Sequence, residues 1–150
     1  MKLAEALQER ADVQRRLAQL KGRLRSNARV QEGETPAEDP KTLLAELNGL
    51  VARLEELVRR INLTNAATDD GGETLTALIA RRDSLQAKAA ILRDFLGEAS
   101  DLANRSMRSE IKIKSTVNVA EKRREVDALS QEIRLLDSRI QQRNWLADLL

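Results

Sequence analysis

Apolar side chains recur at steps of three and four from the start of the chain. Leu3, Leu7, Val13, Leu17, Leu20 and Leu24 share one helical face, while Arg15, Arg16, Gln19, Lys21 and Arg23 fall largely elsewhere, which predicts a helix over about 3–26. The pattern stops between Asn27 and Asp39, where Gly33, Pro36 and acidic residues gather. Asp39-Pro40 then offers an N-cap followed by proline at the first helical position, so a second helix is expected over about 40–65. It carries Leu43, Leu47, Leu50, Leu54, Leu57 and Ile61, with Leu44, Val51 and Val58 forming an adjacent stripe seven residues apart. Its apolar face is therefore broad. After the turn signal Asp69-Asp70-Gly71-Gly72, a third helix is expected over about 74–104 through Leu75, Leu78, Leu85, Leu92, Leu96 and Ala99, flanked by Ile79 and Phe95. Asn118 with Glu121 resembles a capping box and opens a fourth, about 118–146, on Val119, Val126, Leu129, Ile133, Leu136 and Ile140.

Two stretches follow another rhythm. Residues 110–117 alternate apolar and polar at period two and predict a short strand, with 28–32 as its natural partner. The expected fold is thus all-α: one helical domain over 1–150, built as an antiparallel four-helix bundle or as coiled-coil hairpins, with a two-stranded β-ribbon at one end. Helices of these lengths would span roughly 36–45 Å at 1.5 Å per residue, and turn-rich connections favour antiparallel neighbours. The wide face of the second helix, with Ile79, Phe95 and Leu102 on the third, offers more apolar surface than one four-helix core needs. A homo-oligomer is therefore expected, self-associating through Leu47, Leu54, Leu57, Leu85, Leu92, Leu129, Ile133 and Leu136.

Composition narrows the chemistry. Charged residues make up 33% of the chain and aromatic ones 1%, so the core must be aliphatic. With no cysteine there is no disulfide, thiolate nucleophile or Cys-containing zinc site, and with no histidine there is no Ser-His-Asp triad and no Glu-x-x-His di-iron site. Gly71-Gly72 begins neither a dinucleotide fingerprint nor a P-loop. Neither an enzyme nor a cofactor or metal is expected. The opening residues acquire acids at once and lack an apolar signal core, and no run of about 18 apolar residues occurs, so a soluble cytoplasmic protein is the default and no membrane partner is expected. Paired arginines recur, at Arg59-Arg60 and Arg81-Arg82 among others. Yet 26 Lys and Arg face 24 Asp and Glu, and no aromatic platform is present for unpaired bases, so nucleic acid is not an expected partner.

An up-down-up-down order would collect polar residues at the end opposite the ribbon: Arg60, Asn62, Asn65 and Thr68 from the second helix, Arg82 with Asp83 from the third, Asn144 and Trp145 from the fourth. Arginine offers a fork for carboxylate or phosphate, asparagine offers donors and acceptors, and tryptophan a flat apolar wall, so a small anionic ligand could bind there. The same side chains ordinarily cap a helix end and its turn, and that reading stands beside the first.

Several stretches also resemble a small bacterial family of coiled-coil-rich proteins often called septicolysins: Met1-Lys2-Leu3-Ala4-Glu5-Ala6-Leu7, Gln31-Glu32-Gly33-Glu34, Glu38-Asp39-Pro40, Ile61-Asn62-Leu63-Thr64-Asn65, Ser109-Glu110-Ile111-Lys112 and Asn144-Trp145. Ser106-Met107 depart from the aromatic residue that the resemblance implies there. The label implies a pore-forming, membrane-active protein and brings no catalytic residues. The expected function is that of a non-enzymatic, self-assembling structural or interaction protein, with membrane activity or small-anion binding as alternatives.

Overall fold

The computed structural model describes residues 1–102 and 111–150. Among the described residues the fold is all-α, with four helices: α1 (Leu3–Ser26), α2 (Pro40–Ala67), α3 (Leu75–Ser100) and α4 (Val119–Leu146). Each start has a local cause. The Glu5 carboxylate accepts from the Lys2 N–H at 2.6 Å, Asp39 accepts from the Lys41 N–H at 3.0 Å ahead of Pro40, and Thr74 Oγ1 accepts from the Ala77 N–H at 3.2 Å. At α4 the Asn118 side chain accepts from the Glu121 N–H at 3.1 Å. These bonds satisfy amides that have no partner within the first helical turn. Gly71 and Gly72 take φ of 68° and 91° between α2 and α3, a backbone region that side chains with a Cβ disfavour.

The chain groups into two compact units. One comprises Met1–Asp70 and Arg143–Leu150; the other comprises Gly71–Gln142. In the first, α1 and α2 run antiparallel, since Glu9 pairs with Arg53 while Arg23 pairs with Glu38 and Glu46. One line of its buried side chains recurs every seven residues: Ala6, Val13 and Leu20 on α1 with Asn27 at its C-cap, and Leu43, Leu50, Leu57 and Thr64 on α2. In the second unit Arg82 meets Asp137 and Arg93 meets Ser130, so α3 and α4 are antiparallel as well. Leu75, Ala89 and Leu96 on α3 and Leu129 and Leu136 on α4 repeat at seven or fourteen residues there.

The expected β-ribbon is not formed among the described residues. Residues 28–32 lie in a turn-rich connection in which Gly33 has φ 89° and the Glu34 N–H donates to the Gln31 carbonyl at 3.0 Å. Residues 111–117 are irregular, and Glu110 lies outside the described residues. Alternation makes a strand only where one face has something to cover, and here Val30, Ile111 and Ile113 are 48%, 79% and 38% exposed. Extended pairing occurs instead where the chain's two ends meet, through an antiparallel bridge between Lys2 and Asp148. Helix α3 stops at Ser100, with Asp101 and Leu102 already non-helical, so the expected end at Asn104 is not reached; Asn104, Ser106 and Met107 lie outside the described residues.

Candidate functional site

Helix α2 has two unlike flanks. With Leu3 and Leu47 as heptad position a, every d position of the first hairpin is buried, and Leu57 is 0% exposed. The a positions are buried at the clasped end, at Leu3 and Ile61, and less covered along the rest of the hairpin, where Arg10, Leu17, Leu24, Leu47 and Leu54 are half-buried. On the side next to d, position g carries Lys2, Glu9, Arg16 and Arg23 on α1, and Glu46, Arg53 and Arg60 on α2. These charges find partners within the unit: Arg53 Nε lies 2.6 Å from Glu9, Arg16 and Arg23 lie 3.7 and 3.4 Å from Glu46, and Lys2 Nζ lies 2.8 Å from Asp148. Matching g to g is what antiparallel neighbours allow, and it seals that side. The hydrogen bond from Arg53 holds the Glu9 carboxyl below the usual carboxylate range, and the two carboxylates of Glu9 and Glu56 drive the Arg53 guanidinium further up.

The opposite side is apolar. Position e of α2 reads Leu44, Val51, Val58 and then Asn65; Leu44 and Val51 are 49% and 48% exposed, and Val58 is half-buried. Beside it, position b reads Lys41, Asn48, Glu55 and Asn62, all exposed and with no side-chain partner among the described residues. One flank is thus closed by ion pairs, and the other presents an uncharged strip along the half-buried Leu47 and Leu54.

The polar cluster expected at the helix ends exists in part, and its groups are engaged. Arg60 donates from Nε to the Leu150 carbonyl at 2.6 Å and from Nη2 to that of Leu149 at 3.4 Å. Thr64, 1% exposed, donates to the Arg60 carbonyl and accepts from the Leu150 N–H at 3.0 Å. Arg143 clamps Asp70 at 2.6 Å, and the Thr68 N–H caps α2 on the Thr64 carbonyl at 2.8 Å. Leu3 and Leu149 complete the clasp through main-chain bonds to Ala147 and Met1 at 3.0 and 2.9 Å. Asn62 is exposed, while Asn65 and Asn144 each bury an amide oxygen without a protein partner. Those atoms are acceptors and the arginines are occupied, so the cluster fastens the chain's end better than it suits an anion.

Trp145 is 64% exposed, and its neighbour Asn144, 5% exposed, is the buried one and continues the four-residue steps Leu136, Ile140, Asn144. Arg82 belongs to the second unit, where it is 3.0 Å from both Asp83 and Asp137. Burial works against its charge, but the two carboxylates together outweigh that and raise its pKa. Among the described residues no cluster of three or more His, Cys, Asp or Glu suits a metal ion, and no helix is long and apolar enough to cross a membrane.

A family of unknown function, DUF6847, matches residues 10–149. The chain belongs to this family. Among solved structures, that of a functionally unknown conserved protein from Corynebacterium diphtheriae is similar over 100% of this chain and 99% of the other, at 41% identity and a TM-score of 0.95. No curated protein matches. Of the residues expected to self-associate, Leu57, Leu129 and Leu136 are buried inside the chain, whereas Leu47, Leu54, Leu85, Leu92 and Ile133 are half-buried. Arg143, Lys2 and Thr64 belong to the clasp and carried no sequence signal, because their partners are 73, 144 and 86 residues away.

Proposed function

We propose that this protein is a non-enzymatic, self-associating interaction protein of the cytoplasm, whose hairpins act as antiparallel coiled coils and whose first hairpin meets a second copy. The observation that carries this reading is the asymmetry of α2: every g-position charge is matched within the unit, while Leu44 and Val51 stand about half exposed on the other flank. Exposed leucine and valine aligned along a helix with no charge among them are the surface that a partner helix covers, unlike apolar residues scattered singly. Two such hairpins would share an antiparallel four-helix core. Light scattering coupled to size exclusion over a wide concentration range tests the reading. A mass that is a multiple of 16.8 kDa and falls on dilution is expected; a 16.8 kDa species at every concentration would refute it.

A further inference from the structure

The apolar strip of α2 is symmetric about its own middle. Leu44 and Val58 lie seven residues before and after Val51, and Leu47 and Leu54 bracket the same point. A twofold axis through Val51, with the two α2 helices antiparallel, would set Val51 against its counterpart, Leu44 against Val58, and Leu47 against Leu54 of the second copy. The strip from Leu44 to Val58 is about 21 Å long at 1.5 Å per residue, so these contacts are spread over four helical turns.

The polar edge obeys the same symmetry. In that register Lys41 falls opposite Asn62 and Asn48 opposite Glu55, so each charged residue of position b meets an asparagine amide and no like charges face each other. These four side chains have no partner among the described residues, in contrast to the charges of position g. A parallel arrangement would instead set position b of each helix against position a of the other, leaving Lys41 and Glu55 beside leucines with no polar counterpart. An isologous contact requires one surface to complement itself, and this strip does so in its apolar line and in its polar edge.

The geometry points to a twofold homodimer in which α2 packs antiparallel on α2 of a second copy, with the axis at Val51. The inference rests on the self-association proposed above and adds its register. The chain has no cysteine, so single introduced thiols report the geometry without background. Val51→Cys is expected to form a disulfide-linked dimer under mild oxidation. Leu44→Cys and Val58→Cys should each stay uncrosslinked alone and crosslink when mixed, because a disulfide needs Cα atoms within about 7 Å. Ala45→Cys, on the outer face of α2, should not crosslink in any mixture. Val51→Glu places two carboxylates at the axis and should weaken the dimer at least about a hundredfold, with an unchanged circular dichroism spectrum because the position is half exposed.

The outcomes separate the two ideas. If the wild-type protein is oligomeric by light scattering while Val51→Cys fails to crosslink and Val51→Glu keeps its mass, the register is wrong and self-association stands. A wild-type monomer at all concentrations overturns both. Crosslinking of Leu44→Cys with itself, in place of the mixed pair, would replace the antiparallel register with a parallel one and refute the inference.

Discussion

The division of the first hairpin into a sealed and an open side makes a quantitative prediction for two leucines three residues apart. Leu57 is 0% exposed at a d position, whereas Leu54, at an a position, is half-buried. Truncating Leu57 to alanine removes three buried carbons, worth roughly 0.8 kcal/mol each by transfer, and leaves a closed void, so a total cost of about 3–4 kcal/mol is expected. Leu54→Ala removes the same atoms from a side chain that water already reaches in part, and no sealed void forms; about 1–1.5 kcal/mol is expected. Urea denaturation of the dilute protein, below the concentration at which assembly is seen, measures the difference. With a slope of about 2 kcal/mol per molar urea, the midpoint should fall by about 1.5–2 M for Leu57→Ala and by about 0.5–0.8 M for Leu54→Ala. The exposed Arg124→Ala serves as control, with a cost under about 0.5 kcal/mol. Equal midpoints for the two leucine variants would refute the assignment of Leu57 to the sealed line and Leu54 to the more open one. The second unit repeats the comparison with Leu136, 4% exposed, against the half-buried Ile133.

Three further outcomes are expected. Thr64→Val keeps the shape but deprives the Leu150 N–H of its acceptor, and should cost about 1–2 kcal/mol and speed amide exchange at Leu149 and Leu150 above that in the middle of α2. Asn27, 8% exposed, donates to the Arg23 carbonyl and accepts from the Glu38 N–H at 2.9 Å, so Asn27→Ala should loosen the α1–α2 connection and expose it to limited proteolysis while both helices keep their circular dichroism. The depressed Glu9 pKa implies stability that is present above the unfolded-state value of about 4.3 and lost as pH falls through the lower folded value. Glu9→Gln should therefore flatten the acid limb of the thermal midpoint below about pH 4 and cost less than about 1 kcal/mol at neutral pH, since both partners are one-third exposed.

Helix starts were legible because their causes are local: Asp39-Pro40, Thr74 and Asn118 each act on amides within three residues, and the turn at Gly71-Gly72 needs only a backbone without Cβ. The seven-residue seam was legible for a similar reason, since a heptad line is visible wherever leucines recur. What escaped depends on surfaces distant in sequence. Period-two alternation at 28–32 and 111–117 says which side chains share a face but not whether that face is covered, and Val30 and Ile111 stay exposed. Arg82 reads as a ligand-binding fork in isolation, yet it occupies a heptad position, seven residues from Leu75 and from Ala89, where Asp137 on the neighbouring helix claims it.

The polar cluster shows how residue type alone misleads. Asn144 and Trp145 are neighbours in sequence, but a step of one residue turns a helix by about 100°, enough to bury one and expose the other. The spacing from Leu136 through Ile140 to Asn144 singles out the asparagine as the buried one, while the tryptophan, chemically the more prominent, stays exposed. Hydrogen-bond accounting then decides between receptor and clasp: Arg60, Thr64 and Arg143 already satisfy Leu149, Leu150 and Asp70, so an arriving anion would have to displace bonds the chain makes to itself. The same accounting applied along α2 gives the opposite result. There the charges of position g are paired while the side chains of Lys41, Asn48, Glu55 and Asn62 have no protein partner among the described residues, and they border a flank of that helix on which leucine and valine lie open in a continuous line. An unsatisfied edge beside an uncovered apolar strip is where a second helix gains most, which is why α2 and not the polar end is the place to look for a partner.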